Sequence, residues 1–305
     1  MSLYIKYGKI LSMNEIRLSY LITTKNKLPY LKQAIRKLIE QKKDGEEIIV
    51  ADGGSTDGTK EFLKSLKESG EIDNYISEQD YSEAHGLNKL FLMAKGTLMT
   101  IITDDDVFHY KTILFIKDFM LSHPEIDMTG ANGGFKGQDT TKGVRPFYYD
   151  QNYREWQKNR TPFSSCGLGI VFRRSSLPLL GLWNPAFKRS DAEFMLRNTS
   201  GKANIAWYTG HAYVNVSNSQ STSLVYMKKI KDETDRLNKF YLNKNPDSFI
   251  VEKIKILRNK IRSGSFGKKP SEDAFQAQWP KLSNDALKWL EEMNATGNPE
   301  FLWNK

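Results

Sequence analysis

At 305 residues, with 39% hydrophobic and 12% aromatic side chains, the chain is long enough to bury a sizeable core and too apolar to be disordered. Its single cysteine, Cys166, excludes an internal disulfide framework, no apolar run approaches the roughly 20 residues that span a bilayer, and no signal-peptide pattern opens the chain, so a reducing, cytoplasmic location is expected. The net charge of +9 is concentrated late, since residues 224–305 hold 16 basic and 11 acidic side chains, and it reads as a solvated basic tail rather than a nucleic-acid surface.

Residues 1–16 show no clear period and read as an extension. A strand is predicted over 17–24, where Leu18, Tyr20 and Ile22 alternate ahead of a polar turn at 23–27. Pro29 suits the first turn of the helix that follows, with Leu28, Leu31, Ile35 and Leu38 at spacings of three and four until Gly45 stops it. A second buried strand, over 47–51, runs into Asp52-Gly53-Gly54-Ser55-Thr56-Asp57-Gly58-Thr59. The two glycines permit a tight turn and a close backbone approach to a ligand, and Ser55, Thr56 and Asp57 can cap the next helix. A third strand over 74–77 and a helix with Leu87, Leu90, Phe91 and Ala94 on one face lead to a β-prone run at 98–103. That run delivers Asp104, Asp105 and Asp106 to its C-terminal end.

This alternation implies an α/β fold with a mainly parallel sheet and helices on both faces, in which ligands bind beyond the C-terminal strand ends. An isolated acidic triplet also suits a turn. Three adjacent carboxylates repel one another, however, unless a hard divalent cation sits among them, and such a cation often arrives with substrate phosphates.

Two stretches together carry a family resemblance. Ile-Ile-Val-Ala-Asp-Gly-Gly-Ser-Thr-Asp-Gly-Thr at 48–59 resembles the first signature of the family 2 glycosyltransferases of the GT-A (Rossmann-like) fold, and the triplet follows at the expected distance. Gly-Leu-Asn-Lys at 86–89 and Ala-Lys-Gly at 94–96 are similar to that family too. The resemblance covers roughly residues 17–223. It implies transfer of a sugar, with inversion, from a nucleotide-diphosphate donor, UDP- or GDP-linked, to a hydroxyl of a glycan or lipid-linked acceptor in polysaccharide or other surface-glycan assembly.

By position, the resemblance also implies that Thr23, Asp52, Gly53 and Gly54 bind the donor nucleotide and that the triplet holds Mn2+ or Mg2+. The family usually has Asp or Asn where Thr103 stands here. Aligning on Asp-Asp-Val-Phe places the metal ligand at Asp105, whereas a literal Asp-X-Asp reading takes Asp104 and Asp106; the expected assignment is Asp104 with the donor and Asp105 and Asp106 with the metal. Both alignments remain open.

Further on, 113–122 reads as a helix closed by His123-Pro124, whereas 130–160 has no clean period. Phe147, Tyr148, Tyr149, Tyr153 and Trp156 suit either stacking on sugar faces or filling a satellite core. A strand is expected at 166–174, and the passage through Gly-Leu-Trp-Asn-Pro at 181–185 is similar to the one before the family's second catalytic motif. That motif would be Ser-Asp-Ala-Glu-Phe-Met-Leu-Arg at 190–197. Ser190 replaces the family's first acid, and Asp191 keeps the position of the base that deprotonates the acceptor.

A carboxylate at a helix start is favoured in its charged form; the plain alternative is an ordinary N-terminal Asp with Glu193 in the first turn. His211 is either a satisfied polar residue or a third, imidazole ligand to the metal. Asn218, Gln220 and Ser221 resemble a loop that closes over the donor diphosphate.

Residues 224–305 form a third, basic and mainly helical part after the extension (1–16) and the catalytic part (17–223). In it, Ile250, Ile254, Leu257 and Ile261 recur among Lys253, Lys255, Arg258, Lys260 and Arg262, an amphipathic helix that either packs on its own domain or touches the inner face of a membrane peripherally. A last helix is expected over 274–294. Two other function classes stand beside the glycosyltransferase. A nucleotidyltransferase would need a glycine-rich loop after the first strand, which 23–27 lacks; a non-catalytic glycan- or polyanion-binding protein would not need the aligned triplet.

Overall fold

The computed structural model describes residues 4–6, 9–11, 15–137, 139–217, 226–244 and 272–304. The helix expected over 250–262 and the loop of Asn218, Gln220 and Ser221 lie outside the described residues. A small antiparallel pair, β1 (Tyr4–Lys6) and β2 (Lys9–Leu11), comes first. The main sheet then begins as the alternation requires: β3 (Leu18–Thr24), β4 (Glu46–Asp52), β5 (Asn74–Ser77) and β6 (Leu98–Thr103) pair in parallel in the order β5-β4-β3-β6. Their crossovers are α1 (Leu28–Gln41), α2 (Thr59–Glu68) and α3 (Glu83–Met93). Pro29 sits in the first turn of α1, and Leu31, Ile35 and Leu38 form its buried stripe. Truncating one of these to Ala would cost about 2–5 kcal/mol.

The second half adds β7 (Val107–Phe108), α4 (Tyr110–Ser122), β8 (Met128–Lys136), β9 (Arg145–Phe147), α5 (Tyr149–Asn159), β10 (Val171–Arg173), α6 (Leu177–Leu180), α7 (Ser190–Ser200), β11 (Ile205–Val216), α8 (Met227–Leu242), α9 (Glu272–Thr296) and β12 (Phe301–Leu302). The short β10 lies antiparallel between β6 and β8, and β11 runs parallel to β8 along its whole length. Parallel ladders carry most of the paired residues, so the sheet is mainly parallel, as expected.

The sequence showed no period at β8, and its glycines explain why. A Cβ on Gly130 would lie 2.2 Å from the Trp207 ring, and one on Gly133 2.3 Å from the Tyr213 ring. The two glycines lie on opposite faces of the strand, each leaving room for one of its neighbour's aromatics, so the strand shows no apolar alternation. Of the aromatics nearby, Tyr153 and Trp156 fill the core beside Trp207, whereas Tyr148 is 46% exposed.

The helix expected over 274–294 is α9. Phe275, Trp279, Leu282, Ala286 and Leu290 pack on Tyr30, Val107, Val214 and Val216, directly behind the triplet. Asn294 fixes its end, since its side-chain amide accepts from His211 N–H and donates to His211 C=O, both at 2.9 Å, at an irregularity in β11. Residues 272–302 thus add a helix and an edge strand to the same sheet. Among the described residues, no helix is long and apolar enough to cross a membrane.

Candidate active site

Parallel register brings the ends of three strands together: Thr23 pairs with Ala51 and Thr103, and Thr24 with Asp52. Asp52 is 2% exposed. One of its oxygens accepts from Ser55 N–H at 3.0 Å and from the Ser55 hydroxyl, and the other accepts from Ser77 Oγ at 2.7 Å. Gly54 has φ +78°, so the turn after the strand favours glycine there. Gly53 is bare for another reason, because a Cβ there would lie 2.6 Å from Asp80 Oδ2, and one on Gly86 would lie 3.2 Å from the same oxygen.

The triplet is buried. Asp104 accepts from Thr24 Oγ1 at 2.7 Å. Asp106 accepts from Thr103 Oγ1 at 2.6 Å, from Val216 N–H at 2.8 Å and from Asn215 Nδ2 at 3.0 Å, which ties the turn to the end of β11. Burial, with Asp105 adding repulsion, pushes the Asp104 carboxyl up to about 7 against the opposing pull of Lys27 and Thr24. The same two causes, burial foremost, raise Asp106 well above the carboxylate range. Lys27, at the N-cap of α1, reaches Asp105 Oδ2 at 2.5 Å and Asp104 Oδ1 at 3.5 Å. Burial works against its charge, but the two carboxylates outweigh that and hold the ammonium protonated.

Asp191 lies in the first turn of α7, where its carboxylate accepts from Ala192 N–H at 2.7 Å. The helix start alone would lower its pKa, but burial raises it, with Arg189 opposing. Glu83, the first residue of α3, has Lys27, Asp105, Asp191 and Asp80 all within electrostatic reach, so these charges lie in one neighbourhood of the sheet edge. Glu193 points elsewhere: it pairs with Arg197 at 2.9 Å, whose guanidinium also donates to Leu180 and Leu182 carbonyls. Cys166 packs near Asp191, and burial pushes its thiol up to about 12, so it is not an activated nucleophile.

His211 is not brought to the triplet. Its ring packs edge-on against Tyr148 and Trp289, and its Nε2 has no hydrogen-bond partner among the described residues. Upstream in β11, it is separated from Asn215 and Val216, the residues that reach Asp106, by three and four intervening positions. Among the described residues no group of three or more His, Cys, Asp or Glu converges as a metal cage. A cavity of about 300 Å³ lies behind the triplet, between α1, β7 and α9; Lys37, His109 and Trp279 line it, and Asp52 and Asp191 do not.

Sequence reasoning did not single out Lys27, Thr24, Glu83 or Asp80. The available signal was positional: a cation in the loop after the first parallel strand lies at the same sheet edge as any acid ending the neighbouring strand.

Comparison with known proteins agrees with this fold. In S. aureus, TarS 1-349 in complex with UDP-GlcNAc is similar with a TM-score of 0.57 at 15% identity, over 95% of this chain and 97% of that one. The mannosyltransferase PcManGT from Pyrobaculum calidifontis, in complex with GDP-Man and Mn2+, gives 0.52 at 17%, over 93% and 76%. At such identities the likeness shows the fold alone. By sequence, the chain is 32% identical over 92 residues to the GalNAc(5)-diNAcBac-PP-undecaprenol beta-1,3-glucosyltransferase of Campylobacter jejuni, 30% of each chain. It is 26% identical over 112 residues to an uncharacterized glycosyltransferase of Mycoplasma genitalium, 34% of this chain and 37% of that one. The matches thus span about a third of these relatives' lengths. The family model "Glycosyl transferase family 2" matches residues 19–178, more than half of the chain, and the chain belongs to that family.

Proposed function

We propose that the protein transfers a sugar, with inversion, from a UDP- or GDP-linked donor to a hydroxyl of a glycan or lipid-linked acceptor. The observation that carries this reading is the gathering of Asp52 and Asp104 at the C-terminal ends of neighbouring parallel strands, with Asp105 and Asp191 both within electrostatic reach of Glu83. The structurally similar proteins bound to UDP-GlcNAc and GDP-Man support the donor class, and the Campylobacter relative's name supports a lipid-linked acceptor.

In this reading Asp52 accepts from the base, and Thr23, Gly53 and Gly54 let the nucleoside approach the backbone closely. Asp104, oriented by Thr24, faces the donor. Asp105 and Asp106 are the residues that would hold Mn2+ or Mg2+, and the donor set suits a hard cation, which is commonly bound by one or two carboxylates with substrate phosphates completing the shell. Asp106 favours that fit. Its hydrogen bonds come from neutral donors, and no ion pair to it is present among the described residues, so Lys27 acts on this buried carboxyl only from a distance. When bound, the cation offsets charge developing on the departing diphosphate.

Asp191 accepts the proton of the acceptor hydroxyl while that oxygen bonds to the anomeric carbon. The bond from that carbon to the diphosphate oxygen breaks, and the nucleoside diphosphate leaves with its electron pair. A carboxyl raised by burial is a stronger base than an exposed Asp, which suits this step. The test is nucleotide release from a panel of UDP- and GDP-sugars, in Mn2+ and in EDTA. Release from at least one donor in Mn2+, abolished by EDTA, is expected; no release from any donor under either condition would overturn the reading.

A further inference from the structure

Lys27 is the cation that the structure sets against the triplet, and its backbone is fixed on both sides. Asn26 N–H donates to Ser55 Oγ at 2.7 Å, Asn26 Oδ1 accepts from Thr56 N–H at 2.8 Å, and Leu28 N–H donates to Asp57 Oδ2 at 2.9 Å. Lys27's own carbonyl accepts from Tyr30 and Leu31 in the first turn of α1. The loop is thus stitched to the turn that follows Asp52, and only the four-carbon stem is left to move. That stem is 21% exposed and ends between Asp104 and Asp105, with Glu83 also within electrostatic reach of the ammonium. An ammonium is a compact point charge on a flexible stem, suited to exchanging one anion for another.

We propose that Lys27 is a positioning residue that acts as the triplet's resident counter-cation. In the nucleotide-free protein its ammonium pairs with Asp104 and Asp105 and competes with a divalent cation for them. When a donor diphosphate enters, the ammonium exchanges onto the phosphate oxygens and frees the carboxylates. Cation and nucleotide therefore bind together rather than independently, and the cation alone binds weakly. The inference rests on the metal reading given above, in which phosphates in the cation's shell already couple the two ligands, and adds that Lys27 sets the size of that coupling.

The full chain tests it, with Mn2+ affinity followed by electron paramagnetic resonance of the free ion, alone and with saturating UDP or GDP. In the unmodified protein the nucleotide should tighten Mn2+ binding by about 10- to 100-fold, within the usual span of coupled sites. Lys27→Met should bind Mn2+ alone about ten-fold more tightly, bind nucleotide with Mn2+ less tightly, and lose most of the coupling, whereas Lys27→Arg should keep it. Should Lys27→Met lose its thermal transition, Lys27→Gln carries the same expectation. A Lys27→Met protein whose Mn2+ affinity and coupling match the unmodified protein would overturn the inference and leave the metal reading standing. An unmodified protein that binds no Mn2+ even with nucleotide would overturn both.

Discussion

At the N-terminal ends of the parallel strands, Glu46 and Glu47 are buried beneath the sheet; at the C-terminal ends, so are Asp104 and Asp106. The first pair is well supplied with partners. Glu46 accepts from Lys117 Nζ at 2.7 Å and from Tyr20 OH at 3.1 Å, while Glu47 accepts from Ser19 Oγ at 2.5 Å and from Lys95 N–H at 2.6 Å. At the other end, burial and mutual repulsion leave Asp104 and Asp106 raised despite Lys27. Buried carboxyls with matched partners stabilise one structure, whereas buried carboxyls crowded by a third are the kind found where a ligand binds. In the proposed reading, the two edges of one sheet thus separate holding the fold together from carrying the chemistry.

Substitutions at the two edges should therefore fail differently. The largest effect is expected at Asp191→Asn, which keeps the shape and the hydrogen bond to Ala192 but cannot take a proton; turnover should fall on the order of 10²- to 10⁴-fold with nucleotide affinity unchanged. Unchanged turnover would reduce Asp191 to a helix-start residue. At the opposite edge, Lys117→Met strands the buried Glu46 and should cost about 3–5 kcal/mol of stability in denaturant titration. Its nucleotide affinity should stay constant, and a loss there would erase the distinction between the edges.

His211 offers a third test, away from both edges. Burial lowers its pKa from 6.5 to about 4, so the unfolded chain binds the proton more readily. Stability from this group is full above pH 6.5 and lost as pH falls from 6.5 towards 4, by roughly 3 kcal/mol in total. His211→Phe should remove that acid-side slope and leave stability at pH 8 nearly unchanged, as measured by thermal unfolding across pH. The smallest effect is at Asp52→Ala, where losing a charged hydrogen-bond acceptor should weaken UDP or GDP binding by about 1.5–3 kcal/mol. Affinity for both nucleotides unchanged from the unmodified protein in calorimetry would remove Asp52 from the donor site.

The strands of the first half were legible because their residues alternate or run apolar between clear stops, and the acids follow as strand-end residues. β8 was not, because its glycines answer to Trp207 and Tyr213, which lie more than 70 residues away. The position of Asp191 at a helix start could be read in the same way. The direction of its pKa could not, since the helix end is a local feature and the burial that outweighs it comes from the assembled fold. Lys27 and Asp80 show the same limit: Lys27 meets Asp105 across 78 positions, and Asp80 fits a slot made by Gly53 and Gly86. No period marks either contact. His211 marks the converse, a residue whose type suits a metal but whose place in β11 puts it among aromatic rings instead.

The central claim, that the C-terminal edge is a nucleotide-diphosphate site completed by a cation, is tested most directly by calorimetric titration of UDP and GDP in Mn2+ and in EDTA. The unmodified protein is expected to bind at least one nucleotide about ten-fold or more tightly in Mn2+, and Asp106→Ala to lose that gain. Equal affinity in Mn2+ and in EDTA for the unmodified protein would contradict the account.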